Sequence, residues 1–144
     1  MKQKHSVPVQ IRFNDIDLMG HVYNAKYQEF FDLARLNYFK TVLGELISWT
    51  HKGLIIASVK VDYLQPTFLE DEIHVETSVS SLGEKSLEMT QAVYKNHNPE
   101  PVAICKSVMV CFDMKARVSE PIPEVWRKKF TDFEPGLGVN QSVG

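Results

Sequence analysis

Apolar and polar residues alternate with two different periods along this chain, and the switches between them outline its elements. Val7, Val9, Ile11 and Phe13 are apolar while Gln10, Arg12 and Asn14 are polar, which predicts a half-buried first strand over Val7–Asn14. Asn14 to His21 breaks that rhythm with Asn, Asp and Gly and reads as a loop. From about Asn24 to Leu43 the spacing becomes three and four, through Tyr27, Phe30, Phe31, Ala34, Tyr38 and Val42, which predicts a helix of about five turns. A second stripe, Leu33, Leu36, Phe39 and Leu43, predicts that this helix is covered on more than one side, and Gly44 is placed to stop it.

Period two returns after a variable stretch containing Trp49 and Gly53. Val59, Val61 and Tyr63 form a second strand closed by Pro66. Ile73 to Val79 and Leu87 to Val93, joined by a Leu82-Gly83-Glu84 turn, read as a hairpin. After the Asn96–Pro99 turn, Val102 to Met114 is apolar on both faces, as an internal strand is. Glu124 to Phe130 reads as one short helix, and the tail from about residue 131 is expected to be loosely ordered. The expected architecture is α+β: one long helix packed against a five-stranded, mostly antiparallel sheet.

Composition narrows what such a fold does. With 144 residues, 44% of them apolar, residues 1–144 make a single domain with a real core. A formal charge of -2 gives no basic field, so nucleic acid is not an expected partner. Apolar runs such as Leu54–Ala57 fall far short of the roughly 20 residues of a membrane span, so none is expected. Met1 to His5 leads into alternating residues without an apolar leader segment, which points to the cytoplasm. Cys105 and Cys111 stand about 20 Å apart on one strand, too far for a disulfide, and read as reduced, half-buried packing residues.

Candidate chemistry concentrates between Arg12 and Tyr27, where Asp15 and Asp17 follow a strand and precede a helix start. The free N–H groups and positive dipole end of a helix start stabilise an oxygen gaining negative charge. A carboxylate beside that point can attack a carbonyl or activate water. Asp17 otherwise reads as a loop acid or cap, Gly20 as a turn a Cβ would hinder, and His21 as either loop-positioning or substrate-touching. Asn24 reads equally as the helix N-cap, its side chain on the N–H of Lys26 or Tyr27. Asp15, in extended chain, would share a side with Asp17.

The pattern Asp15-x-Asp17-x-x-Gly20-His21-Val22-x-Asn24-x-x-Tyr27 before a long aromatic-rich helix resembles the 4-hydroxybenzoyl-CoA thioesterase-like acyl-CoA thioesterases. The likeness continues through Val59-x-Val61-Asp62-Tyr63-Leu64-x-Pro66 and Gly83-x-x-Ser86. It implies a hotdog fold that hydrolyses a fatty or aromatic acyl-CoA as a dimer or tetramer, with the helix inside the curled sheet and the site across the dimer interface. On that resemblance Asp17 is the catalytic carboxylate, and the oxyanion contact maps to about Asn24, with Gly20, His21, Val22 and Tyr23 positioning substrate beside it. Asn24 stands where related enzymes often carry a histidine. The same resemblance puts substrate contacts at Tyr27, Val59, Lys60, Lys85 and Ser86. Glu29 and Asp32 are rival carboxylates, and Lys85, Lys106, Lys115, Arg117, Arg127, Lys128 and Lys129 are candidates for the CoA phosphates.

Other chemistries have little to stand on. His5, His21, His51, His74 and His97 show no metal-ligand spacing, and no phosphate loop or Gly-x-Ser-x-Gly elbow occurs, so neither a metal nor a cofactor is expected. An open sheet edge favours pairing with a second copy, hence a homodimer or a dimer of dimers. Two rivals remain: a module that binds acyl thioesters without hydrolysis, and a hotdog dehydratase built on His21 with Glu29 or Asp32.

Overall fold

Among the described residues six strands and two α-helices follow the order β1 (His5–Val9), α1 (Lys26–Leu43), β2 (Lys52–Tyr63), β3 (Ile73–Leu82), β4 (Ser86–Lys95), β5 (Ala103–Asp113), β6 (Val118–Ser119) and α2 (Glu124–Phe133). The structure, a computed structural model, describes residues 4–48 and 50–138; the first three residues, Trp49 and the last six lie outside the described part. Every strand pairing is antiparallel, in the order β1-β3-β4-β5-β2, with β6 added beside β5. The sheet therefore has six strands where five were expected. Two-residue β6 pairs with Phe112 and Asp113, beyond the last β4 partner at Val110, and two residues are too few for alternation to register.

Two strand boundaries also differ from the pattern. β1 ends at Val9, opposite the first residue of β3, so Ile11 and Phe13 keep the alternation without a partner strand. There the chain turns through Phe13–Asp15, and the Asp15 carboxylate accepts the Arg12 N–H at 2.8 Å. β2 begins at Lys52, earlier than Val59, because β5 offers it partners from Asp113 back to Ala103. A bulge between Ile56 and Ser58 shifts its phase by a residue, which is why Leu54–Ala57 shows no alternation.

α1 lies across the sheet and buries Tyr27, Phe30, Phe31, Ala34, Tyr38, Phe39, Val42 and Leu43. Leu33 and Leu36, expected to be covered, are each 53% exposed, so one chain covers a single side of the helix. Gly44, at φ +58°, ends it and donates to the Lys40 carbonyl. The core forms two apolar clusters. One gathers Tyr27, Phe30, Phe31 and Ala34 over Val75 and Val93; the other gathers Tyr38, Phe39 and Val42 over Leu87 and Met89, capped by Trp126 and Phe130 of α2. Between them runs a buried polar belt: Arg35 donates to Gln91 at 3.1 Å, and Gln91 donates to the Phe31 carbonyl at 2.9 Å and to Thr77 at 3.1 Å.

Residues 131–138, expected to be loosely ordered, finish α2 and pack down. Glu134 and Leu137 are buried there, with the Glu134 carboxylate accepting from the Tyr38 hydroxyl at 2.9 Å and the Val79 N–H at 3.1 Å. Burial and the Glu134 charge push the Tyr38 hydroxyl well above its ordinary range. Cys105 and Cys111 are free and fully buried on β5, where half burial was expected, and burial pushes both thiols up. Among the described residues no helix is long and apolar enough to cross a membrane.

Candidate active site

Between β1 and α1 the chain folds into a small hairpin. Ile16 bridges Val22, the Asp17 N–H donates to the His21 carbonyl at 2.8 Å, and the Tyr23 N–H donates to the Asp15 carbonyl at 2.8 Å. Gly20 turns the tip at φ +81°, a left-handed conformation that glycine adopts without strain. Asp17 Oδ1 accepts the N–H groups of Met19, at 2.9 Å, and His21, at 3.2 Å. Both bonds fall on one oxygen, so the carboxylate is held while its Oδ2 takes no hydrogen bond among the described residues. Asp15 does not share this role. Its turn is not extended chain, and its buried carboxylate is spent on the Arg12 N–H and on Lys26, 3.9 Å away.

The segment after β2 braces this hairpin. Thr67 accepts the Val22 N–H at its carbonyl and the Tyr27 hydroxyl at its Oγ1, each at 2.7 Å, and the His21 ring stands edge-on to Phe68 at 5.0 Å. The brace is pinned by Asp71, which accepts from the Phe68 N–H at 2.8 Å and from Asn96 at 3.2 Å and pairs with Lys95 at 3.7 Å. Burial raises the Asp71 carboxyl, but these donors outweigh it and hold it below its ordinary range. A carboxyl depressed in the folded state stabilises fully above its unfolded value, about 3.9, and loses that contribution as pH falls through the folded value. Asp71→Asn is thus expected to lower the urea midpoint at pH 7 and to soften its decline below about pH 4. Parallel acid limbs in the two proteins would refute that role.

Helix α1 begins without side-chain help. Its N-cap is Ala25, and the expected cap by the Asn24 side chain is absent; the Tyr27 N–H goes instead to the Asn24 carbonyl at 3.2 Å. The reason is local: Asn24 already lies in the turn Tyr23–Lys26, whose closing bond runs from the Lys26 N–H to the Tyr23 carbonyl at 2.9 Å. The N–H groups of Val22 and Tyr23 are consumed within the hairpin and its brace, which removes them as oxyanion donors. Those of Asn24 and Ala25 have no acceptor among the described residues and sit on exposed chain at the positive end of the helix. Tyr23 stands two residues, about 7 Å of strand, beyond His21, which faces Asp17 across the hairpin.

Other sequence candidates fall elsewhere. Tyr27 is buried with its hydroxyl proton given to Thr67. Val59 and Lys60 are neighbours on a strand and so face opposite sides of the sheet; Lys60 pairs with Asp62 at 3.1 Å in solvent. Glu29 pairs with Lys26 at 3.1 Å and Asp32 with Arg35, both on the helix surface. Lys85 ends the β3–β4 turn and Ser86 opens β4; Arg127 fastens that turn by donating to the Gly83 carbonyl at 2.8 Å. That turn is at the far end of the sheet. Ser86 pairs with Val110 and Tyr63, beside Asn24, pairs with Ala103, a separation of seven β5 residues or about 23 Å. Thr67, Phe68 and Tyr63 were not singled out from the sequence as site residues, and only Tyr63 had a signal, its place in the second motif. Among the described residues no group of three or more His, Cys, Asp or Glu is arranged to hold a metal ion.

Residues 11–130 match the sequence profile of the thioesterase-like superfamily. The chain belongs to that superfamily. One relative, the 1,4-dihydroxy-2-naphthoyl-CoA hydrolase of Synechococcus elongatus, is 28% identical over 118 residues, 79% of this chain and 85% of that protein. The acyl-CoA thioesterase YbgC of Haemophilus influenzae is 30% identical over 94 residues, 63% of this chain and 69% of YbgC. A solved thioesterase of Thermus thermophilus, complexed with coenzyme A and Zn, is 33% identical, with a TM-score of 0.78 over 90% of this chain and 93% of that one. PA5185 of Pseudomonas aeruginosa, at 24% identity and a TM-score of 0.81 over 97% of this chain and 94% of that one, shares the fold. The segment matched to the thioesterase-like superfamily contains the hairpin, the helix start, Tyr63, Thr67 and Ser86.

Proposed function

We propose that this chain is an acyl-CoA thioesterase of hotdog fold, converting acyl-CoA and water to free acid and CoA. The observation that carries the reading is a carboxylate, Asp17, with one oxygen free among the described residues, in the hairpin that leads into a helix start where the N–H groups of Asn24 and Ala25 are likewise unclaimed. The thioester oxygen accepts from those N–H groups and gains charge there as the carbonyl carbon becomes tetrahedral. Asp17 Oδ2 either attacks that carbon, giving a mixed anhydride that water then opens, or takes a proton from the attacking water. Both routes expel the CoA thiolate, which leaves with a proton from water.

The reading includes a homodimer. Within one chain Lys85 and Ser86 are about 23 Å from the helix start, so their contact with the pantetheine arm or phosphates would be supplied by the partner subunit. β2 is a sheet edge carrying exposed Ile55, Ile56 and Val59, and the uncovered Leu36 lines one groove with Ile55 and Ile56, a surface suited to a second copy. Pairing of two such dimers gives the tetramer, with the cytoplasm as the setting. In that assembly the helix is wrapped on both sides.

Neither rival gains an observation. The His21 ring is packed on Phe68 while Glu29 and Asp32 are held in ion pairs, which leaves the pair that the dehydratase reading named without the convergence it needs. Names among the relatives extend from a dihydroxynaphthoyl-CoA hydrolase to a long-chain acyl-CoA thioesterase, so the acyl panel has to include both extremes. The test is free-thiol release from short, long and aromatic acyl-CoAs. Turnover with at least one of them is expected. Release no faster than buffer, with measurable CoA binding, would overturn hydrolysis in favour of a binding module.

A further inference from the structure

Tyr63 ends β2 and reaches over the start of α1. Its ring stands edge-on to Tyr27 at 5.5 Å, it is 45% exposed, and its hydroxyl donates to the Asn24 carbonyl at 3.3 Å. That oxygen also receives the Tyr27 N–H at 3.2 Å. The Asn24 carbonyl and the Ala25 N–H are two ends of one planar peptide unit. A hydrogen bond given to the carbonyl end draws charge away from nitrogen and strengthens the N–H as a donor, by about 10–30% for each bond in such a chain. The peptide before it is arranged alike, with the Lys26 N–H on the Tyr23 carbonyl at 2.9 Å and the Asn24 N–H left open. The difference is that the second peptide is polarised by a side chain from another element, 39 residues away in sequence.

We propose that Tyr63 is a positioning residue of the reaction: its hydroxyl fixes and polarises the Asn24–Ala25 peptide, whose N–H faces the thioester oxygen. The proposal rests on the thioesterase reading for the identity of that oxygen. Tyr63 itself touches neither substrate nor Asp17. Its contribution grows as the carbonyl oxygen gains charge, so it acts on the transition state more than on the bound ground state.

Tyr63→Phe is the test, since it keeps the ring against Tyr27 and removes only the donor. With the preferred acyl-CoA, kcat is expected to fall about threefold to tenfold at unchanged KM, the size of one ordinary hydrogen bond. A second readout uses a ketone analogue of the substrate, with methylene in place of sulfur and a 13C-labelled carbonyl. Its infrared carbonyl stretch is expected to move to lower frequency on binding the native protein and to move less on binding Tyr63→Phe. Unchanged kcat overturns the proposal. So does a lowered kcat with the full carbonyl shift, which marks general loosening, and so does a raised KM with unchanged kcat, which marks a binding contact. If the native protein releases no thiol, the thioesterase reading fails on its own, and the carbonyl shift still decides whether Tyr63 polarises the peptide.

Discussion

Asp17→Asn is expected to give a folded protein that releases thiol from acyl-CoA about a thousandfold more slowly than the native chain, or not at all. An asparagine keeps an oxygen where Oδ1 now accepts the Met19 and His21 N–H groups, so the hairpin and its Gly20 turn have the same bonds to make. What disappears is the second carboxylate oxygen, the one that takes no hydrogen bond among the described residues. An amide nitrogen in its place cannot attack a thioester and cannot take a proton from water. A general base alone contributes about 10²–10⁴ in rate, and a nucleophile more, which sets the scale. The measurement is steady-state thiol release on both proteins, with melting temperatures shown to agree within about 2 °C, less than 1 kcal/mol in a chain of this size. Retention of more than a tenth of the native kcat would remove Asp17 from the chemistry and direct the same substitution to Glu29 and Asp32.

Phe31→Ala is expected to cost about 3–5 kcal/mol, lowering the melting temperature by roughly 10 °C or more. Phe31 has 0% exposure and stands where the first turns of α1 press on Val75 and Val93. Its ring fills space that neither neighbouring strand can close, because both are held in register by antiparallel partners on either side. The backbone there is also engaged, its carbonyl receiving Gln91. Phe13→Ala provides the contrast: that ring is 81% exposed, and its removal is expected to change stability by no more than about 0.5 kcal/mol. A loss below about 1 kcal/mol at Phe31 would mean that α1 does not seat on the sheet as described. Seating matters to the site, since the open N–H groups of Asn24 and Ala25 belong to the same helix start.

How far the fold could be read from the chain depended on which residues face one another. β3 and β4 were legible as strands over Ile73–Val79 and Leu87–Val93, because buried and more exposed positions alternate along each, while β3 runs on to Leu82 past a bulge at Val79/Ser81 and β4 spans Ser86–Lys95. β2 was half hidden: a bulge at Ile56/Ser58 moves its apolar residues out of phase, and an edge strand has fewer neighbours to enforce a pattern. β6 exists only because β5 outruns β4, which no local signal announces. At the site, the acidic loop and the following helix start were visible as a motif, and the open N–H at Asn24 stands where that motif points. The cap was misread because Asn24 has two ways to satisfy an N–H, side chain or carbonyl, and only the turn geometry selects the carbonyl. Thr67 and Tyr63 act through contacts 40 and 39 residues apart, a distance at which spacing carries no information.

The polar belt between the two apolar clusters bears on where α1 can sit at all. Apolar contacts are forgiving, and a helix whose underside held only Phe, Leu and Val would fit nearly as well one turn further along the sheet. Arg35 and Gln91 remove that freedom. A slide of one turn, about 5.4 Å, would part the Arg35 guanidinium from the Gln91 amide and Gln91 from the Phe31 carbonyl, stranding buried groups at roughly 1–3 kcal/mol apiece. The belt thus works as an indexing pin. It contributes little to how strongly the helix is held and a great deal to which residue stands at each point along it.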